Sequence, residues 1–195
     1  MSRRFSLITF LVSLVCLTVS ACVDVETAAT ASTTRDNQAA TAKELRKSAE
    51  AGNAAAQNRL GLLYNKGQGV SENHGKAKEW FEKAAEQGDA GAQVNLGTLY
   101  LLGQGAPESE QMALFWFRRA AQQEDALAFA KLGLMYAQGR GVPQDFIQAH
   151  IWYNLSAAHG EKRASGSRDA LAKQMTPAQV AEAQKLAREW KPKPK

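Results

Sequence analysis

Apolar residues recur along the chain at the spacing of amphipathic helices, in two groups separated by glycines. The first group is Ala56, Leu60, Leu63 and Tyr64. The second group is Ala77, Trp80, Phe81, Ala84 and Ala85. Each group follows the i, i+3/i+4, i+7/i+8 pattern of one helix face. Gly67 and Gly69 stand between them, and they predict the end of the first helix and a connection with positive φ.

This two-helix pattern occurs three times with a period of 36 residues and no insertion, at 54–89, 90–125 and 126–161. The ten positions that are identical in all three copies are, in the first copy, Ala54, Ala56, Leu60, Gly61, Tyr64, Gly67, Gly69, Ala77, Trp80 and Ala85. A fixed period of this length is typical of a solenoid, in which each unit buries its apolar face against its neighbours. The chain is therefore predicted to be all-α.

A glycine inside the first helix of each copy, at residues 61, 97 and 133, predicts close helix contacts. Glycine in a helix costs about 1 kcal/mol relative to alanine, so its regular return indicates that close approach offsets this cost. The periodic tryptophans Trp80, Trp116 and Trp152 are interpreted as core residues because they lie within the apolar faces.

The shared positions form the motif A-x-A-x3-L-G-x2-Y-x2-G-x-G followed by A-x2-W. This motif resembles the Sel-one-like repeat, a relative of the tetratricopeptide repeat, over residues 54–161. The resemblance implies an all-α, right-handed superhelix of antiparallel helix pairs, extending here from about residue 43 to residue 190. It also implies a protein-binding scaffold or adaptor in which the first helix of each repeat lines a concave surface.

The segments on either side of the repeats are predicted to cap the solenoid. Residues 43–53 align with the second half of a repeat and give a half-repeat at the N-terminal end. Residues 162–190 read as a C-terminal helical cap, whose last helix begins at a capping box formed by Thr176 and Gln179. The basic tail, 191–195, is either a solubilising end or a contact for an anionic surface.

Residues 1–21 are predicted to be a signal peptide, with Arg3 and Arg4 as its basic start. The apolar run that follows, 5–19, is shorter than the ~20 residues of a membrane-spanning helix. The paired arginines also fit a twin-arginine signal, although a plain basic start is the preferred interpretation.

The sequence around Cys22, Val-Ser-Ala-Cys, resembles a bacterial lipobox. That resemblance implies a lipid anchor on Cys22 and a lipoprotein of the cell envelope that faces the periplasm, with the outer membrane favoured over the inner. Two alternatives remain: cleavage by ordinary signal peptidase, which would give a soluble periplasmic or secreted protein, and an uncleaved anchor. Residues 22–42 are rich in Ala, Thr and Ser and are predicted to be a flexible tether.

Charge and motifs exclude several classes of function. Loss of Arg3 and Arg4 with the signal would lower the formal charge from +5 to +3, and no aromatic-basic signature of nucleic-acid binding is present. We expect no nucleic acid, metal or cofactor as a ligand. His74, His150 and His159 occupy different repeat positions and are predicted to be surface or helix-end residues.

No catalytic motif is present, so the protein is predicted not to be an enzyme. The alternative, an envelope hydrolase or penicillin-binding protein acting on peptidoglycan or β-lactams, rests on family analogy alone. The relatives concerned have a disulfide in each repeat, and this chain lacks those cysteines. A further alternative is a soluble periplasmic regulator that inhibits a sensor.

Positions that differ between the copies are the candidate partner site. The residues chosen are Asn58, Arg59, Lys66, Val94, Asn95, Leu101, Leu102, Phe129 and Lys131. Leu101 and Leu102 replace Asn65 and Lys66 of the first copy, and Phe129 replaces a glutamine. Such apolar residues either form an exposed patch that binds a protein or pack on the tether or the C-terminal helices.

Overall fold

The computed structural model describes residues 39–193, and this part of the chain forms nine helices and no strand. The helices are α1 (39–50), α2 (Ala54–Lys66), α3 (His74–Glu86), α4 (Ala90–Leu102), α5 (Glu110–Ala121), α6 (Ala126–Gln138), α7 (Phe146–Ala158), α8 (Lys162–Ala172) and α9 (Pro177–Glu189). Each repeat contributes two helices that pack on each other, and its first helix packs on the second helix of the preceding repeat. The predicted all-α solenoid is confirmed.

A short polar residue precedes each helix of the repeats, and a glycine ends the first helix of each repeat. Asn53, Asp89 and Asp125 accept hydrogen bonds at the starts of α2, α4 and α6, which satisfies backbone donors that a helix leaves unpaired. Gly67 and its equivalents in the other repeats end these helices in the left-handed conformation, as predicted. The second glycine of the connection permits close approach, since a Cβ on Gly105 would lie 2.4 Å from the His74 carbonyl oxygen.

The glycines within the first helices make room for aromatic rings. A Cβ added to Gly61 would lie 2.6 Å from the Phe81 ring, and one added to Gly97 would lie 2.7 Å from the Phe117 ring. Gly133 meets Tyr153 in the same way, at 2.8 Å. The prediction of close helix contacts at these glycines is confirmed.

The N-terminal cap extends further than the sequence pattern predicts. Helix α1 includes residues 39–42, which the pattern assigns to the tether, and Ala42 is only 3% exposed. Alanine has the highest helix propensity, so this alanine-rich stretch continues the helix and buries a residue. Within residues 39–193, no helix has the length and apolar character needed to cross a membrane. The predicted signal peptide, Cys22 and the tether up to residue 38 lie outside the described residues.

The C-terminal cap consists of two helices that both pack on α7. The predicted capping box is present at the start of α9, where Thr176 and Gln179 exchange hydrogen bonds. Near the middle of this helix, the buried Ala183 joins the core of the last two repeats. The Trp190 ring follows and lies 5.2 Å from Phe129 and 5.9 Å from Trp152, between ring centroids. The C-terminal cap therefore covers the end of the third repeat with Ala183 and Trp190.

Candidate partner-binding surfaces

The first helices of the three repeats expose one stripe each, and we call these stripes together the first-helix face. The face consists of Arg59, Leu62 and Lys66 on α2, Asn95, Thr98 and Leu102 on α4, and Leu127, Lys131 and Leu134 on α6. On each helix these residues are three or four positions apart, so they lie on one side of it. The face contains cations and no carboxylate.

Exposed leucines occur on the part of this face formed by the second and third repeats. Leu102, Leu127 and Leu134 are 56%, 50% and 36% exposed. Leu127 and Leu134 flank Lys131 at the i, i+4, i+7 spacing of a single helix side. Exposed leucines that share a face with cations provide an apolar contact area with a polar border, which is typical of interaction surfaces.

Asparagines join neighbouring first helices across this face. The Asn95 side-chain amide donates to the Asn58 side-chain oxygen at 2.9 Å. Asn58 in turn donates to the Asp89 carboxylate at 3.0 Å, and Asp89 also caps α4. The two asparagines predicted to bind a partner therefore hold repeats 1 and 2 together, and each remains partly exposed.

The structure separates the predicted site residues into two sets. Arg59, Lys66 and Leu102 are exposed and Lys131 is partly exposed, as a partner site requires. The expectation of exposure is wrong for Val94, Leu101 and Phe129, which are 5%, 5% and 0% exposed. These three side chains belong to the core formed by repeats 2 and 3.

The expectation of exposure is wrong because the polar residues at the corresponding positions of the other copies are also buried or paired. Gln57 is 4% exposed; its amide donates to the Ala49 carbonyl at 3.0 Å, and its oxygen accepts from Gln87 at 2.7 Å. Gln93 makes the same two bonds, to Ala85 and from Gln123. A polar residue in one copy therefore does not mark a surface position.

The third repeat replaces this glutamine pair with rings. Phe129 stands at the position of Gln57, and His159 stands at the position of Gln87. Their ring centroids are 5.2 Å apart, and Phe129 also stacks on Trp152 at 5.8 Å. Phe129 thus packs on the C-terminal helices through Trp190, which was one of the two interpretations of the apolar replacements.

The histidines are spread over different environments. His74 begins α3 and His159 follows the last turn of α7, as predicted. The prediction of a surface or helix-end position is wrong for His150, which is 1% exposed with its Nδ1 3.0 Å from the Asn154 amide nitrogen. No cluster of three or more His, Cys, Asp or Glu residues suited to a metal ion occurs within 39–193.

Sequence comparison gives the family. The Sel1 repeat model matches residues 54–89, 90–125 and 126–161. The chain belongs to the Sel1 repeat family. The resemblance identified from the motif is confirmed. Sel1 repeat proteins are generally protein-interaction scaffolds, and their fold is typically non-enzymatic.

Solved structures that are similar over most of this chain include the following two. A Sel1 repeat protein from Oxalobacter formigenes is 34% identical with a TM-score of 0.61, covering 77% of this chain and 70% of that one. The protein c5321, a protective antigen of uropathogenic Escherichia coli strains with an SLR fold, is 32% identical with a TM-score of 0.59. That match covers 76% of this chain and 40% of the other. No curated protein matches the chain.

Proposed function

We propose that this protein is a non-enzymatic adaptor of the bacterial cell envelope that binds a protein partner through its first-helix face. The observation that carries the proposal is the exposure of Leu102 on α4 and of Leu127 and Leu134 on α6. Apolar side chains at half exposure gain free energy when a partner removes them from water, at about 25 cal/mol per Å². Membership of a family of scaffolds supports the same conclusion.

The charge on the face adds a constraint on the partner. Arg59, Lys66 and Lys131 do not take part in the ion pairs formed among residues 39–193. Because a partner with carboxylates around an apolar centre would pair these cations at the border of the contact, we expect an acidic rim around its apolar surface.

Crosslinking mass spectrometry in intact cells tests this function. The wild type is compared with the variant Leu102→Glu/Leu134→Glu, and Leu186→Glu is the control because Leu186 is 38% exposed on α9, outside the face. We expect one envelope protein to crosslink to the wild type and to the control, and to be lost from the double variant. Equal crosslinking in all three proteins would exclude the first-helix face as the binding surface.

We propose that Cys22 carries a lipid that anchors the protein in a membrane, with the folded domain facing the periplasm. The outer membrane is favoured over the inner membrane. The support is the lipobox-like sequence before this cysteine. Labelling cells with a radioactive fatty acid should mark the wild type, and Cys22→Ser should be unlabelled because it lacks the thiol that carries the lipid. The matched change Cys16→Ser, within the signal segment, should leave labelling intact. Labelling of Cys22→Ser would refute the anchor.

A further inference from the structure

A groove of 910 Å³ lies on the second-helix side of the solenoid, separate from the first-helix face. One wall is formed by a side of α5, and the other by Trp152 of α7 and the segment that follows α9. The residues that line it are Gln111, Leu114, Phe115, Arg118, Arg119, Gln122, Trp152, Trp190, Lys191 and Lys193. Its volume is within the range of about 300–1,000 Å³ that is usual for ligand pockets.

The wall of the groove combines rings with cations and contains no carboxylate. Phe115 is 49% exposed, and the Arg119 guanidinium lies 5.8 Å from the centre of its ring. Arg118 donates to the Tyr136 hydroxyl at 3.0 Å, and that neutral acceptor leaves its charge uncompensated. None of the ion pairs in the described part of the chain involves Arg118, Arg119, Lys191 or Lys193.

The segment after α9 is held in place as the second wall. The backbone N–H of Lys193 donates to the side-chain oxygen of Gln122, which follows α5. At the other end of the segment, Trp190 is fixed against Phe129 and Trp152. The bond between Lys193 and Gln122 joins residues 71 positions apart in the sequence. Lys191 and Lys193 therefore line the groove only in the folded protein.

We propose that this groove binds an acidic peptide segment of a partner protein, with an aromatic or aliphatic side chain against Phe115 and Trp190. Its Asp or Glu carboxylates would pair with Arg119, Lys191 and Lys193. Clusters of cations recognise acidic motifs in this way, and the ring surfaces supply the apolar contact that an acidic chain alone would lack. A walled groove with rings inside suits a peptide better than it suits the flat surface of a bilayer.

The test begins with a display library of random peptides, selected on the full-length protein purified in detergent. We expect the enriched peptides to contain several Asp or Glu residues beside an aromatic residue or leucine. The most enriched peptide is then labelled with fluorescein and its Kd is measured by fluorescence anisotropy. Neutral or basic peptides as the enriched class would overturn the proposal.

Charge reversal in the groove gives the decisive comparison. Lys191→Glu/Lys193→Glu should weaken binding of the labelled peptide at least tenfold, because two attractions become repulsions. Lys173→Glu/Lys185→Glu changes the net charge equally at exposed positions outside the groove and should leave Kd unchanged. Phe115→Ser should also weaken binding, by removing the apolar contact.

Three results would contradict the assignment. A peptide that binds the groove variant as tightly as the wild type would belong to another surface, such as the first-helix face. Phosphatidylglycerol vesicles that displace the peptide, and whose own binding is lost with Lys191→Glu/Lys193→Glu, would reassign the groove to a lipid surface. Single-stranded DNA that behaved in the same way would reassign it to nucleic acid. Since variants of the first-helix face leave the groove unchanged, the two proposals fail separately.

Discussion

At the scale of single residues, the turn after α5 contains a side chain in a conformation that favours glycine. Glu124 has φ of 60°, whereas the equivalent residues Gly52, Gly88 and Gly160 have φ of 93°, 95° and 97°. Left-handed backbone costs a residue with a Cβ about 1–2 kcal/mol. The turn is therefore left-handed in all three copies, and in the second copy it is strained at Glu124.

Replacing Glu124 by glycine should relieve this strain. We expect Glu124→Gly to raise the free energy of unfolding by about 0.5–1 kcal/mol, since the greater freedom of glycine in the unfolded chain offsets part of the gain. Urea denaturation measures this change in the free energy of unfolding. Glu124→Ala retains the Cβ and should not stabilise the protein. A decrease in stability for Glu124→Gly would show that the Glu124 side chain has an important contact.

The glycine of the first helix can be tested in the same way. Gly97→Ala would place a Cβ 2.7 Å from the Phe117 ring and 3.2 Å from the Ala113 carbonyl oxygen, so we expect a loss of about 1–3 kcal/mol from overpacking. A Cβ added to Gly166 in α8 would meet no neighbouring side chain or helix within 4 Å, and Gly166→Ala should stabilise the protein by about 0.5–1 kcal/mol. Thermal melting of both variants should therefore give shifts of opposite sign.

Some single-residue features of the structure could be predicted from the sequence and others could not. Gly61 and the Thr176–Gln179 capping box could be predicted, because backbone geometry and local hydrogen bonds depend on few neighbours. Burial at Leu101 could not be predicted: its counterpart Asn65 is polar because its side-chain oxygen pairs with His74 Nδ1 at 2.9 Å, a local contact that the repeat pattern does not reveal. Leu127 and Leu134 are not among the residues chosen from the sequence, although their i, i+7 spacing places them on one helix side.

At the scale of elements, the contact between α7 and α8 should depend on pH. Burial lowers the pKa of His150 below its usual 6.5, Arg168 on α8 lowers it further, and Asp169 opposes this. The unfolded chain therefore binds a proton at His150 more readily than the folded protein does. The stability from neutral His150 is fully present above pH 6.5 and is lost as the pH falls below it.

Urea unfolding at about pH 7 and about pH 5 tests this dependence. The free energy of unfolding should fall more in the wild type than in His150→Gln, because glutamine does not titrate. His159→Gln is the matched control, since His159 is an exposed helix-end residue. Equal pH dependence in the wild type and His150→Gln would contradict the assignment of this effect to His150.

The stability of the last helix, α9, should depend on the Trp190 ring that follows it. Trp190→Ala removes the contacts with Phe129 and Trp152, so we expect a loss of about 2 kcal/mol in stability and faster amide hydrogen exchange in α9. Leu186→Ala, at a more exposed position on the same helix, should have little effect. Unchanged exchange in α9 of Trp190→Ala would show that α9 is held by Ala183 and its neighbours alone.

At the scale of the whole molecule, the solenoid presents two surfaces of different chemistry. The first-helix face has exposed leucines and cations, and the groove beside α5 is lined by rings and cations. Hydrogen bonds such as Asn95 to Asn58 and Gln57 to Ala49 join neighbouring units of the solenoid. Under the two proposals, a folded partner would bind on one side and an extended acidic segment on the other.

Binding of an envelope protein by the first-helix face is tested most directly by a photocrosslinking scan. A photoreactive amino acid is introduced in living cells at Leu134 on the face, at Phe115 in the groove and at Leu186 on α9. We predict that the residue at 134 captures one dominant envelope protein and that the residue at 186 captures none. Capture at 186 alone, or no capture at 134, would contradict the claim that the first-helix face is the binding surface.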